Sequence, residues 1–230
     1  MRIAKFIAHC GVCSRRKAEE LIEQKRVSVN GEIISSPALN VSENDEVKVD
    51  GARLKSTGKQ RLWLYYKPAG LVTTHSDPQN RLTVFSQLPK SMPRVVSVGR
   101  LDLNSEGLLL LTNSGDLVRE FENPRNEIER VYKVRVFGPK KPLDIDNKEL
   151  KIDGVSYRPV SIKQASVSTS QAPRCNAWYE VILKEGKNRE IRKIFQHYGY
   201  EVSRLIRVSF GQYSLGALKR GQVKEVVIEQ

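Results

Sequence analysis

The segment Lys55-Ser56-Thr57-Gly58-Lys59-Gln60-Arg61 is polar or charged throughout and carries no apolar repeat, so it offers nothing to a core. It divides the 230 residues unequally and predicts a small domain over 1–56, a linker over 57–61 and a large domain over 62–230. Each part is then expected to bury its own apolar side chains.

In the small part Ile3, Phe6, Ile7 and Cys10 recur at helical spacing up to Gly11, a residue suited to ending a helix. Ser14 is placed to cap a second helix, with Ala18, Leu21 and Ile22 as its apolar stripe and an end near Lys25. Val27 to Ile34 alternates about Asn30-Gly31, a pair that tolerates the positive φ of a tight hairpin. Glu46-Val47-Lys48-Val49 predicts a later strand that ends at Asp50-Gly51. Two helices and a small sheet result.

In the large part Trp63–Tyr66, Val95–Val98, Leu108–Leu111, Tyr132–Val136 and Trp178–Leu183 read as strands, rich in apolar and β-branched residues. Helices are expected only over Asp116–Phe121, ahead of Pro124, and over Arg189–Tyr198, ahead of Gly199. Strands joined by hairpins and irregular loops, without alternating helices, predict an α+β domain with a mixed, mainly antiparallel sheet. They argue against a doubly wound nucleotide-binding sheet.

Charge narrows the partner. Thirty-nine Lys and Arg against 26 Asp and Glu leave a net +13, which attracts polyanions: nucleic acid, an anionic membrane surface or acidic proteins. Leu108–Leu111 is too short to span a bilayer, and Met1–Phe6 lacks the apolar core and cleavage site of an export signal. The expectation is a soluble cytoplasmic protein without a membrane partner. Cys10, Cys13 and Cys175 form no even framework, in keeping with a reducing compartment. Cys10 and Cys13, beside His9, have the gap of a metal pair, but no second pair completes a zinc site, so they are expected to be small core residues.

Ser14-Arg15-Arg16-Lys17 puts three cations into the opening turn of a helix, and Arg2 and Lys5 on the preceding helix are expected to join them. Cations there oppose the helix dipole, a small cost that a phosphate would offset. The bland reading is a solvated face on which Glu19, Glu20 and Glu23 pair with them. The segment as a whole resembles the small RNA-binding domain, of the ribosomal S-four type, found in a ribosomal small-subunit protein and in bacterial tyrosyl-tRNA synthetases. That resemblance stops at the linker and implies binding of structured RNA by shape and backbone, with no chemistry.

Chemistry is expected between Val98 and Leu108, where the charged, turn-rich Gly99-Arg100-Leu101-Asp102-Leu103-Asn104-Ser105-Glu106-Gly107 joins two apolar runs. A carboxylate held there near a guanidinium stays ionised and can act as base or nucleophile. An Asp in a turn is more often a local hydrogen-bonding cap, so the loop alone leaves both readings open.

Gly99-Arg100-Leu101-Asp102 followed by Ser105-Glu106-Gly107-Leu108-Leu109-Leu110-Leu111-Thr112-Asn113-Ser114-Gly115-Asp116 closely resembles the catalytic motif of the ribosomal small-subunit and large-subunit (RsuA/RluB-type) pseudouridine synthases. Tyr66-Lys67-Pro68-Ala69-Gly70, Arg130-Val131-Tyr132-Lys133-Val134, Glu185 to Lys193, and Ser203-Arg204-Leu205-Ile206-Arg207 occur in that family's order. The resemblance therefore spans nearly the whole chain.

It implies that Asp102 attacks a uridine at ribose or base, that the bond from the base nitrogen breaks, and that a carbon–carbon bond to the ribose replaces it, with no cofactor and no metal. Tyr132 would stack on an everted uracil, Arg192 would pair with the aspartate, and Leu205 would pack the pocket. Apart from the resemblance these three read as a core aromatic, a solvated helix cation and a core leucine. Arg100 either takes the place vacated by the base, clamps a phosphate or is a surface cation. Lys187, Arg189 and Lys193 are expected to guide the RNA backbone. Lys67-Pro68-Ala69-Gly70 reads as a scaffolding turn. From Gly138 to about Arg174 no motif is matched, which leaves the RNA path on that side unread.

Two rivals stand beside this reading. A ribosome-assembly factor that only binds RNA would explain the charge and the small domain, but not Asp102, Tyr132 and Arg192 together. A nuclease or phosphotransferase would use Asp102 and Glu106 to hold magnesium, but lacks further carboxylates nearby. Lys184–Glu190 and Val202–Arg207 are more similar to the large-subunit enzymes, which points to 23S rather than 16S ribosomal RNA, free or in a subunit precursor, and the chain is read as a monomer.

Overall fold

The small part folds because both helices and the two central strands of its sheet each bury one apolar edge. Helix α1 (Ile3–His9) turns Ile3, Phe6 and Ile7 inward, and α2 (Arg15–Glu23) adds Ala18, Leu21 and Ile22. Ser14 caps α2, its Oγ accepting from the Lys17 amide at 3.2 Å. The helix stops before the expected end near Lys25, because Lys25 takes a left-handed φ of 58°. A four-stranded antiparallel sheet follows: β1 (Val27–Val29), β2 (Glu32–Ile33), β3 (Val47–Val49) and β4 (Ala52–Arg53), in the order β2-β1-β3-β4. Asn30-Gly31 (φ 52° and 91°) and Asp50-Gly51 (51° and 79°) turn its hairpins with both central residues left-handed. Cys10 and Cys13 pack against this core, and burial pushes both thiols up.

The computed structural model describes all residues except 43, 56, 57, 147, 170, 171, 229 and 230, and of residue 160 the backbone only. The expected boundary at 56/57 lies outside the described residues. Before it Leu54 packs on the small core, and after it Leu62 opens the large sheet.

The large part is assembled from β5 (Leu62–Lys67), β6 (Val96–Val98), β7 (Glu106–Thr112), β8 (Arg130–Pro139), β9 (Ile145–Asp146), β10 (Leu150–Ile152), β11 (Val155–Tyr157), β12 (Pro159–Val167), β13 (Arg174–Leu183), β14 (Glu201–Phe210), β15 (Tyr213–Ser214) and β16 (Val223–Val226). Its main sheet runs in the order β16-β5-β7-β14-β8-β13-β12-β9, with β6 on β7 and β15 on β14, while β10 and β11 pair separately. Every pairing of the named strands is antiparallel except β7 with β14, so two antiparallel halves meet along one parallel seam. With α3 (Gly115–Glu122) and α4 (Glu190–His197) packed on it, this is the mixed α+β domain the sequence predicts.

Strand β7 is buried along its whole length because both faces are covered. Leu109 and Leu111 pack with Trp63 and Tyr65 on one side, and Leu108 and Leu110 with Leu62, Leu64 and Phe210 on the other. Helix α4 sets Ile191, Ile194 and Phe195 against Val134 and Val136. The unmatched stretch from 138 to 174 contains all of β9 to β12. Strand β12 escapes a reading by pattern because Ser161, Lys163, Gln164 and Ser166 break its apolar alternation, and two register shifts interrupt it. Among the described residues no helix is long and apolar enough to cross a membrane.

Candidate active site

Asp102 lies in the loop between β6 and β7, one step from the parallel seam, and its position is set by Lys67 at the end of β5. Lys67 is fully buried, and its Nζ donates to the carbonyls of Ser105 (2.8 Å), Pro68 (3.1 Å), Asp102 (3.1 Å) and Leu103 (3.4 Å). Burial pulls its ammonium down to about 8, against the opposing pull of Asp102 and Glu106. The turn read as scaffolding is thus a lysine that gathers the backbone of the Asp102 loop onto one charge. A lysine closing an otherwise apolar strand was the signal for it.

The loop opens on a cleft of about 940 Å³. Asp102, Tyr132, Arg192 and Leu205 all line it, as do Arg100, Lys187 and Arg189. Tyr132 rises from β8 and Leu205 from β14, both largely buried, so ring and leucine form apolar wall while Asp102 stays half-exposed. Among the described residues nothing hydrogen-bonds the Asp102 carboxylate. The other carboxyls of the cleft are occupied: Glu122 accepts from the Gly99 amide (2.7 Å), Glu185 from Lys187 and the Arg158 amide, and Glu190 from the Lys187 amide. Arg189 holds a left-handed φ of 52° just ahead of α4, which is why that helix starts one residue later than expected.

Arg192 departs from its expected role. It forms no ion pair with Asp102; its Nη1 donates to the Val202 carbonyl (3.1 Å) and its Nη2 to that of Asn104 (3.2 Å). Asn104 is two residues beyond Asp102, so the guanidinium braces the Asp102 loop, which Lys67 also holds. Burial and the neighbouring Arg189 lower its affinity for a proton, against the pull of Asp102. Lys193 is exposed on α4 and does not line the cleft.

Two arginines of the cleft carried no assigned role from sequence. Arg130 donates to the Ile128, Lys184 and Phe121 carbonyls, and Arg207 donates through Nε to that of Leu108 at 2.8 Å. Both guanidinium groups lie against the Phe210 ring, at 4.5 and 4.9 Å. Glu106, the magnesium partner in the nuclease reading, does not line the cleft and is held by Arg204 (2.5 Å) and Arg220 (3.1 Å). Among the described residues no group of three or more His, Cys, Asp or Glu side chains is gathered as for a metal ion.

The cations of the small part do not form the single expected cluster. Lys5 reaches across to Asp116 of α3 at 2.8 Å, and Lys17 pairs with Glu20 at 2.7 Å. Arg2, Ser14, Arg15 and Arg16 remain exposed. Arg15 meets Gly115, Val118, Arg119, Glu122 and Asn123 in a second hollow of about 530 Å³. Glu122 lines both hollow and cleft, so the two adjoin.

Both parts of the chain are similar to known proteins. The RNA pseudouridylate synthase family profile matches residues 61–197 and the S4 domain profile matches residues 1–47. An uncharacterized RNA pseudouridine synthase of Rickettsia felis is 52% identical over 226 residues, covering 98% of this chain and 96% of the relative. The ribosomal large subunit pseudouridine synthase B of Yersinia pestis is 39% identical over 220 residues, covering 93% of this chain and 68% of that protein. A pseudouridylate synthase crystal structure shares the fold with a TM-score of 0.63 at 23% identity, over 99% of this chain and 96% of its own. The chain therefore belongs to the RNA pseudouridylate synthases, enzymes that isomerise uridine to pseudouridine in RNA, and it carries an S4 domain ahead of the catalytic part.

Proposed function

We propose that this enzyme modifies a uridine of large-subunit (23S) ribosomal RNA, with Asp102 attacking the nucleotide after it is everted into the cleft. The observation that carries the reading is the Asp102 carboxylate: it lines the cleft without a hydrogen bond from the described residues, while its backbone is clamped by Lys67 and braced by Arg192. A nucleophile needs an oxygen left open and a backbone that does not yield. Tyr132 offers a face for the uracil and Leu205 closes the apolar side. Because product and substrate are isomers, the reaction needs no external oxidant or reductant.

The small domain, 1–56, holds structured RNA through Arg2, Arg15 and Arg16, and the hollow between Arg15 and Arg119 leads the strand to the cleft, where Arg100, Lys187 and Arg189 meet its phosphates. Lys5 serves instead to tie this domain to the catalytic one, joined by the linker 57–61. The choice of the large subunit is supported by the identity to the Yersinia pestis enzyme named for that subunit. The enzyme acts as a cytoplasmic monomer. Mapping pseudouridines in ribosomal RNA from cells with and without the gene tests the target: one 23S position is expected to lose its pseudouridine. A lost position in 16S RNA, or none in either, contradicts the assignment.

A further inference from the structure

Arg207 is 3% exposed, yet its Nη2 has no hydrogen-bond partner among the described residues, and its one donated hydrogen bond leaves from Nε. It lies directly across from Tyr132 in the β14–β8 register, and both line the cleft. Arg130 shares the Phe210 ring with it, and among the described residues neither arginine forms an ion pair with a carboxylate. The ring face softens the repulsion. Even so, a buried guanidinium with no carboxylate in contact costs free energy until an anion arrives, and Glu122 and Glu190 act on Arg130 only from a distance.

Depth decides which anion. An everted nucleotide enters base first and leaves its phosphates with the strand outside, where the exposed Arg100, Lys187 and Arg189 stand. A buried cation beside Tyr132 on the cleft wall therefore meets the base. We propose that Arg207, supported by Arg130, stabilises the negative charge that develops on the uracil during the isomerisation, a role that rests on the function proposed above. As the N1–C1′ bond breaks, its electron pair stays with the uracil and spreads onto the two carbonyl oxygens. The ring turns, C5 bonds to C1′, C5 loses its proton and N1 gains one, so every atom of the uridine is retained. Attack by Asp102 at C1′ puts the charge on both oxygens, and the carboxylate leaves again as C5 bonds to C1′; addition of Asp102 to C6 charges O4, and the Asp102–C6 bond breaks when the ring is restored. Donors fixed in the site beforehand lower either barrier without reorganising.

The test is single-turnover pseudouridine formation by the full chain on its RNA. Arg207→Gln is expected to slow the step about 100-fold with RNA affinity unchanged, and Arg207→Lys to fall between it and the wild type. Guanidinium ion added to Arg207→Ala is expected to restore part of the rate, and to do nothing for Asp102→Asn. A rate for Arg207→Gln within about threefold of wild type overturns the proposal, as does a loss explained by weaker binding or one that guanidinium leaves untouched. A wild type that forms no pseudouridine in any ribosomal RNA sinks the underlying function instead.

Discussion

Glu190 opens α4 with its side chain almost fully buried, and burial together with the adjacent Glu185 pushes its carboxyl from 4.5 up to about 8. A carboxyl raised on folding binds its proton more tightly in the native state. Its contribution to stability is complete below about pH 4.5 and is lost as pH rises through about 8, falling by up to about 1.4 kcal/mol for each pH unit in between. Glu190→Gln, which keeps an acceptor for the Lys187 amide, is therefore expected to gain on the wild type as pH increases. Thermal melts at pH 5, 7 and 9 check this, and a constant difference in Tm counts against it. That Asp102, Tyr132 and Leu205 come together on one cleft could be expected from the sequence, because a recognisable motif carries each of them. Lys67 and Arg207 were not legible, since what each does depends on carbonyls far along the chain, that of Asp102 for Lys67 and that of Leu108 for Arg207.

The seam between β7 and β14 sets the element scale. Gly107 sits there with φ at +107°, and a Cβ at that position would lie 2.2 Å from the Arg207 carbonyl oxygen. Gly107→Ala is expected to destabilise the fold by about 2 kcal/mol or more, combining backbone strain with a clash against main chain. It should also slow catalysis, because Arg207 is carried by one of the strands forced apart and Asp102 by the loop that enters the other. Denaturant unfolding and single-turnover rates measure the two effects, and a variant that matches the wild type in both contradicts this account of the seam. Hairpins were legible at this scale, Asn30-Gly31 above all, because local turn chemistry decides them. The seam was not legible, since nothing in Glu106–Thr112 or Glu201–Phe210 states that they will lie parallel.

Across the whole molecule, an exposed cation face on the small domain adjoins the cleft through the Arg15–Arg119 hollow, while the Lys5–Asp116 ion pair joins the two parts. Arg15→Ala and Arg16→Ala are each expected to weaken RNA binding and to lower the slope of log affinity against log salt by about 0.7–0.9 for every phosphate that the variant leaves unneutralised. The chemical step at saturating RNA should be unaffected. Filter binding across a salt series decides it, and an unchanged slope for both variants removes the small domain from the RNA path. Net charge announced an acidic partner, but it could not show that Lys5 would be used between domains, because Asp116 lies 111 residues away.

The proposed isomerisation rests on one open carboxylate on a clamped loop. Asp102→Asn changes that charge and little else, so the direct measurement is pseudouridine formed on the target RNA by this variant, alongside its RNA affinity. No pseudouridine and an affinity equal to the wild type's are expected. Product formed at the wild-type rate would contradict the proposal.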